Sequence, residues 1–223
     1  MTKLKICGIQ NVDSALAAAE SGADFLGFVF VHGVRRQVTS QQAASIIDDV
    51  RSSSVSAIPC FVGLFADQDI QEVNKIVRDC GLDYVQLCGD ELPAYWDKVD
   101  AEVIKQIRVR DLESVVASTR DTIRRVDQVV STGRIALLDK YEQGSLGGTG
   151  KMFDWSVAAS VAKCHDVMLA GGLTPENVGD AIDQVSPWGV DVSSGVETNK
   201  EKNIGKIRAF GDAVRKSRTI LTD

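Results

Sequence analysis

The sequence is poor in residues that bind metals. It has two histidines, His32 and His165, and they do not lie at the spacing of metal ligands. Its five cysteines contain no Cys-x-x-Cys pair, and an odd number without a secretion signal favours free thiols over a disulfide framework. The sequence therefore predicts neither a metal centre nor a fold held by disulfides.

Long apolar runs and an excess of positive charge are also missing. No apolar stretch is long enough to span a bilayer, and polar residues follow Met1 too soon for a signal peptide. A formal net charge of -6 at pH 7 leaves no electrostatic footprint for nucleic acid or an anionic membrane. We therefore expect a cytoplasmic protein without nucleic-acid or membrane partners.

What is present is a regular alternation of apolar strands and amphipathic helices. Such alternation selects an α/β fold with a parallel sheet, and eight units in a chain of 223 residues fit a compact (β/α)₈ TIM barrel. The predicted strands span 3–8, 23–30, 57–65, 83–87, 103–107, 134–139, 166–170 and 190–193. The predicted helices span about 11–21, 40–50, 69–80, 92–98, 112–126, 153–162, 174–185 and 204–216.

The absence of a Pro- or Ser-rich linker predicts a single domain over residues 1–223. An open, doubly wound sheet is the alternative fold. It is disfavoured because no Gly-x-Gly-x-x-Gly motif follows the first strand.

Three predicted strands end in a reactive or polar side chain close to glycine. Cys7 ends the first, Asp139 the sixth and Asp191 lies in the eighth. Active sites of such barrels lie at the carboxyl ends of the strands, so these side chains are expected on one rim. Arg36, in the loop after the second strand, joins them as a candidate for binding an anionic or planar group.

Each candidate also has a structural interpretation. Asp139 could start a turn, which aspartate does often. Cys7 could be a small buried apolar residue, and the residues alone leave a structural and a catalytic role equally open. We expect Lys5 to point away from Cys7 and not to compensate its charge. Arg36, like its neighbour Arg35, could be only a solvated charge.

Two glycine-bearing loops indicate a phosphate site. Gly171 and Gly172 precede Thr174, the predicted N-cap of the seventh helix, and Ser193, Ser194 and Gly195 follow the eighth strand. Loops seven and eight of a TIM barrel commonly hold phosphate through backbone amides, which require no lysine. The sequence thus predicts a small phosphorylated substrate.

A third glycine-rich stretch spans residues 147–151. It is not a nucleotide-binding P-loop, because Ser145 stands where that motif has glycine and Met152 follows Lys151 where it has Ser or Thr. A loop that closes over substrate and a plain surface linker are equally compatible with these residues.

Taken in order along the chain, the sequence resembles the phosphoribosylanthranilate isomerase family. The matching stretches lie at 5–9, 22–28, 85–87, 89–91, 138–139, 147–151, 153–155, 169–177 and 189–197. The resemblance implies an Amadori rearrangement of N-(5-phosphoribosyl)anthranilate without metal or organic cofactor. It implies that Cys7 is the general base and Asp139 the general acid, with Arg36 and Asp191 contacting the anthranilate and sugar.

Two departures and two alternatives accompany this resemblance. Cys88 stands where the family usually has histidine, and Val34-Arg35-Arg36 where it usually has Ser-Pro-Arg.

A histidine-pathway sugar isomerase would use aspartate in place of Cys7 and need a second phosphate site, and only one is found. A non-catalytic barrel that binds a phosphorylated ligand would have no use for Cys7 or Asp139. The assembly is expected to be a monomer or a small homo-oligomer.

Overall fold

A computed structural model of the chain describes residues 1–140 and 155–220, the last three without their side chains. Eight parallel strands close into a barrel in chain order, which confirms the predicted TIM barrel. Closure is made by β1, which pairs with β2 on one side and with β8 on the other. The strands are β1 Lys3–Cys7, β2 Phe25–Val29, β3 Cys60–Phe65, β4 Tyr84–Leu87, β5 Glu102–Val109, β6 Ile135–Lys140, β7 Val167–Leu169 and β8 Gly189–Val192.

A helix follows each strand and covers the outside of the barrel. The helices are α1 Val12–Glu20, α2 Ser40–Ser52, α3 Ile70–Cys80, α4 Pro93–Trp96, α5 Val115–Val130, α6 Trp155–Ala162, α7 Val178–Val185 and α8 Ile204–Ile220. Asn11 caps α1 by accepting a hydrogen bond from the Ser14 amide. Within the described ranges, no helix has both the length and the apolar character needed to cross a membrane.

The starts of β3 and α5 differ from the prediction for local reasons, and the segment after β8 contains elements that were not predicted. β3 begins at Cys60, because the preceding residue is Pro59, which cannot donate to the ladder. α5 begins at Val115 because the Ser114 side chain caps it by accepting from the Ala117 amide. Two short elements after β8 were not predicted: a 3₁₀ helix, Ser194–Val196, and a two-stranded ribbon of β9 Glu197–Thr198 and β10 Glu201–Lys202.

The barrel has an outer core beneath the helices and a separate inner core. Leu4 and Ile6 of β1 belong to the outer core, so Lys5 and Cys7 face inward. The prediction that Lys5 points away from Cys7 is therefore wrong, because residues two apart on a strand share a face. The apolar part of the inner core comprises Cys7, Phe25, Val29, Val62, Leu64, Cys88, Ile104, Leu137, Met168 and Ala170.

Candidate active site

The carboxyl ends of β1, β6 and β8 bring Cys7, Asp139 and Asp191 to the mouth of the barrel. The charge of Asp191 acts on both of the other groups and raises the pKa of each. A Cβ atom added at Gly171, after β7, would lie 2.9 Å from Asp139 Oδ1. Gly171 has φ +87°, so it lets the backbone of this loop approach the carboxyl group closely.

Asp139 is a half-buried carboxyl group held by two donors. Gln106 Nε2 donates to Oδ2 at 2.6 Å, and the Lys140 amide donates to Oδ1 at 2.8 Å. Burial raises the pKa of Asp139 to about 6, with a further contribution from the charge of Asp191, against the opposing effect of the two hydrogen bonds. Asp139 therefore carries a proton far more often near neutral pH than an exposed aspartate does.

Cys7 is buried at the end of β1, and its surroundings shift the pKa of its thiol in opposite directions. Burial raises the pKa of Cys7 above that of an ordinary thiol, and the charge of Asp191 adds to this effect. The positive charges of Lys5, Lys202 and Arg36 act in the opposite direction. The Cys7 carbonyl is also fixed, because Ser193 Oγ donates to it at 3.2 Å.

Lys5 and Asp191 form an ion pair inside the barrel. Lys5 Nζ lies 2.9 Å from Asp191 Oδ1, and the lysine side chain has no exposed surface. Burial by itself would lower the pKa of Lys5, but the charge of Asp191, its hydrogen bond to Lys5 and the interactions with Cys7 and Cys88 together raise the pKa to about 12. Lys5 is thus a permanent positive charge under the rim.

Arg36 lies at the rim as predicted, where it is paired with Glu197. Arg36 Nε donates to Glu197 Oε1 at 2.6 Å, and Arg35 Nη2 donates to Oε2 at the same distance. Lys202 Nζ reaches the same carboxylate at 3.2 Å and also donates to the Ser193 carbonyl at 2.8 Å. Burial opposes ionisation of Glu197, but Arg36, Lys202 and Arg35 lower its pKa to about 2. The Glu197 carboxylate is therefore shared by three cations, which leaves this cluster with a net positive charge beside Cys7.

Lys202 is a site residue that the sequence interpretation missed. It lies in β10, a strand of only two residues, where no periodicity predicts its direction. Its side chain is 3% exposed, and burial lowers the pKa of its ammonium group to about 8 despite the neighbouring Glu197.

The predicted phosphate loops meet in a cleft of about 290 Å³. It is lined by Gly172, Leu173, Thr174, Glu176, Ser194, Gly195 and Lys206. Loops seven and eight touch at Gly195, where a Cβ atom would lie 1.8 Å from the Leu173 carbonyl oxygen. Lys206, in the first turn of α8, was not included in the sequence prediction and adds a cation to the backbone amides.

Thr174 is not the N-cap of α7, so that prediction is wrong. The helix begins at Val178, and the Asn177 side chain fixes the preceding turn by accepting from the Thr174 amide at 2.8 Å and donating to the Gly172 carbonyl at 3.0 Å. Thr174 Oγ1 instead accepts from the Glu176 amide within this turn. The loop next to the cleft is therefore a rigid turn and not a first turn of helix.

The predicted glycine-rich loop at 147–151 and the first two residues of the predicted helix at 153–162 lie outside the described residues. Among residues 1–140 and 155–220, no group of three or more His, Cys, Asp or Glu side chains is arranged to hold a metal ion.

Cys88 is buried beside the site, and burial raises the pKa of its thiol to about 12. Gln86 Nε2 contacts its sulfur at 3.4 Å, and Arg108 Nη2 donates to its carbonyl at 2.5 Å. A thiol in this state is neutral near pH 7 and supports the wall of the mouth without transferring a proton.

Substitution Cys88→His is therefore expected to keep kcat within about tenfold of the wild-type value, about 1.4 kcal/mol of barrier. Steady-state kinetics of the purified variant checks this. A loss of several orders of magnitude would show that Cys88 takes part in the chemistry.

Comparison with known proteins gives a consistent result. The family model described as N-(5'phosphoribosyl)anthranilate (PRA) isomerase matches residues 4–213. The N-(5'-phosphoribosyl)anthranilate isomerase of Pelobacter propionicus is 41% identical over 226 residues and covers 100% of both chains. That of Roseiflexus castenholzii is 44% identical over 217 residues, which cover 95% of this chain and 97% of the relative.

Solved structures agree with the sequence comparisons. The phosphoribosyl anthranilate isomerase of Thermotoga maritima superposes with a TM-score of 0.82 at 31% identity, over 97% of this chain and 100% of that one. A crystal structure of a phosphoribosyl anthranilate isomerase in complex with reduced 1-(o-carboxyphenylamino)-1-deoxyribulose 5-phosphate gives a TM-score of 0.79 at 30% identity, with the same coverage.

Proposed function

We propose that this chain, which belongs to the N-(5'-phosphoribosyl)anthranilate isomerase family, uses Cys7 as the general base and Asp139 as the general acid of that isomerisation. The reaction of the family is the Amadori rearrangement of N-(5-phosphoribosyl)anthranilate to 1-(2-carboxyphenylamino)-1-deoxyribulose 5-phosphate, in tryptophan biosynthesis. The observation that carries the assignment is the pairing of a buried thiol and a carboxyl group with a pKa of about 6 on one barrel mouth.

The chemistry needs one acid and one base at separate steps. Protonated Asp139 donates to the furanose ring oxygen, and the bond from C1 to that oxygen breaks as the anthranilate nitrogen forms a Schiff base with C1. The Cys7 thiolate then removes the proton on C2, which gives an enolamine. This intermediate becomes the ketone product when C1 gains a proton and the C2 hydroxyl group loses one, so that the number of protons on the sugar is unchanged.

The remaining site residues are assigned to substrate binding. The rim cations around Glu197 favour an anionic group, so we assign Arg36 to the anthranilate carboxylate. Asp191 lies between the two catalytic groups and is placed to accept from sugar hydroxyls. Gly172, Ser194 and Gly195 line the cleft that would hold the phosphate, with Lys206 beside them. Gly171 and Ser193, in the same two loops, are assigned to this site as their neighbours.

The free enzyme is expected to show an unusual pH dependence. The reactive form needs Asp139 protonated and Cys7 ionised, although the pKa of Asp139, about 6, is the lower of the two. Its population rises about tenfold per pH unit below pH 6. It then stays constant until the thiol titrates, because each further unit removes as much protonated acid as it adds thiolate.

We therefore expect kcat/KM to fall below pH 6 and to form a plateau above it. The change of slope at pH 6 belongs to Asp139, because the rise below it comes from ionisation of Cys7. In the residual activity of Asp139→Asn the rise should therefore continue through pH 6 until the thiol titrates. A plateau that still begins near pH 6 in this variant would contradict the assignment. The measurement is kcat/KM against pH for both proteins.

Lys206 provides a test of the phosphate cleft. Lys206→Met removes a positive charge from the cleft and is expected to raise KM about tenfold, equivalent to about 1.4 kcal/mol of binding, with kcat nearly unchanged. Inorganic phosphate should inhibit the wild type competitively and the variant more weakly. The matched control is Lys163→Met, an exposed lysine after α6, at the opposite end of the barrel. Equal KM values in the two variants would place the phosphate elsewhere.

Activity itself is tested with phosphoribosylanthranilate generated in situ, by following the loss of its fluorescence. Turnover supports the proposal. Turnover only of the larger histidine-pathway substrate would favour that isomerase, and binding of phosphorylated ligands without turnover would favour a non-catalytic barrel.

We also propose that residues 1–223 form one domain of a cytoplasmic enzyme that is a monomer or a small homo-oligomer. Elements from β1 to α8 build a single barrel, which supports the domain assignment. Light scattering of the purified protein would measure the assembly, and a large oligomer would contradict this part of the proposal.

A further inference from the structure

Lys5 is a buried cation for which the reaction described above has no use. It lies two residues before Cys7 on the inward face of β1, one layer deeper in the barrel. Its side chain has no exposed surface, so it does not touch a substrate bound at the mouth. The apolar side chains of the inner core, such as Val62, Ile104 and Met168, would fill such a position without a charge.

The ammonium group of Lys5 has more donors than hydrogen bonds. An ammonium carries three N–H groups, and within the described residues Asp191 Oδ1 is the acceptor found for Lys5 Nζ. The other groups on which its charge acts are the sulfur atoms of Cys7 and Cys88. The charge therefore lies between one carboxylate and two thiols.

A buried ammonium group lowers the stability of the folded state unless all its N–H groups have acceptors, and one carboxylate does not provide enough of them. The barrel tolerates this cost at the floor of the site. Lys105 provides the contrast: it faces outward on β5, where its ammonium reaches Glu91 Oε2 and two backbone carbonyls. Lys105 therefore has three acceptors, whereas among the described residues Lys5 has one.

We propose that Lys5 is a positioning residue for the isomerisation: Asp191 holds its ammonium beneath the rim, where it supplies the fixed positive charge beside which the Cys7 thiolate forms. This inference rests on the proposed role of Cys7 as the base. Lys5 transfers no proton, since its own pKa is raised to about 12.

The other charges that face Cys7 do not replace Lys5. Lys202 and Arg36 also favour the thiolate, but both share Glu197 at the rim, and the pKa of Lys202 is lowered to about 8 by burial. Asp191 opposes the thiolate and Cys88 is neutral near pH 7. Among the cations that act on Cys7, the effect of Lys5 is the largest.

The experiment is a titration of the Cys7 thiol by its ultraviolet thiolate absorbance, with the matching Cys7→Ser protein as the blank for each variant. Lys5→Met keeps the length of the side chain and removes the charge. At a fixed pH below the thiol pKa we expect its thiolate fraction to fall about tenfold, which is one pKa unit. Its kcat should fall by a similar factor with KM within about threefold, and the thiolate fraction itself should recover as the pH is raised.

Three further variants complete the design. Lys5→Gln also removes the charge but keeps an amide that can donate to Asp191, so it decides the matter if Lys5→Met does not fold. Asp191→Asn removes a charge that itself opposes the Cys7 thiolate, so its thiolate fraction should rise whether or not Lys5 acts, which checks the sign of the readout. Lys105→Met removes a buried ammonium group from the outer face and is expected to leave the Cys7 titration unchanged.

An unchanged Cys7 titration in Lys5→Met, or in Lys5→Gln if Lys5→Met does not fold, would overturn the proposal. So would a shifted titration in Lys5→Met with unchanged kcat, because the charge would then not serve the reaction. The thiol titration does not require turnover, so its result is independent of the proposed function. That function fails on a different result, namely full activity of Cys7→Ser.

Discussion

Cys7→Ser is expected to lower kcat by roughly 10²- to 10⁴-fold while KM changes little. A hydroxyl is nearly isosteric with the thiol but far less acidic, so serine fills the position without providing the base. The effect lies in kcat because Cys7 acts on C2 only after the substrate is bound. Steady-state kinetics of the two proteins measures this directly.

The buried position of Cys7 makes serine a better probe than alanine. Alanine removes the sulfur and leaves a gap between Gly27 and the mouth, where the sulfur lies 3.0 Å from the position of a Gly27 Cβ. If the thiolate is the base, Cys7→Ala and Cys7→Ser should lose similar activity. Near-normal turnover in Cys7→Ser would make Cys7 structural and move the search for the base to Asp191.

Asp139→Asn is expected to lower kcat by a similar factor, roughly 10²- to 10⁴-fold. Asparagine has the same shape and keeps an oxygen that can accept from Gln106 or from the Lys140 amide. It cannot deliver a proton to the ring oxygen of the sugar. The substrate should still bind, so an equilibrium measurement with a product analogue separates lost binding from lost chemistry.

The matched control is Asp83→Asn, at the opposite end of the barrel. Asp83 Oδ2 accepts from the Phe61 amide at 2.7 Å, so this substitution weakens a structural hydrogen bond. We expect it to lower the melting temperature and leave kcat near wild type. Equal losses of kcat in the two variants would mean that Asp139 acts through stability and not as an acid.

The barrel could be predicted from the sequence because its signal is repeated eight times. Buried parallel strands form short apolar runs and helices carry apolar stripes, so a boundary error in one unit does not change the count. The errors occurred where a local interaction outweighed the pattern, as at Ser114, which caps α5, and at Pro59 before β3. The short ribbon after β8 has too few residues to form a pattern.

The site was predicted in part, for a related reason. Cys7, Asp139 and Asp191 end or lie in strands, and a closed barrel directs strand ends to one mouth. The direction of the Lys5 side chain was predicted wrongly, although side chains two residues apart on β1 share a face. Lys202 and Lys206 could not be placed, because their positions depend on how the segment after β8 folds back onto the rim.

The central claim is that the Cys7 thiolate removes the proton on C2. Its most direct test uses substrate deuterated at C2 and single-turnover measurement of the loss of that deuterium. The wild type should cleave this bond with a primary isotope effect, and Cys7→Ser should bind the substrate but cleave the bond at least about 10² times more slowly. Cleavage by Cys7→Ser at a rate near that of the wild type would contradict the claim.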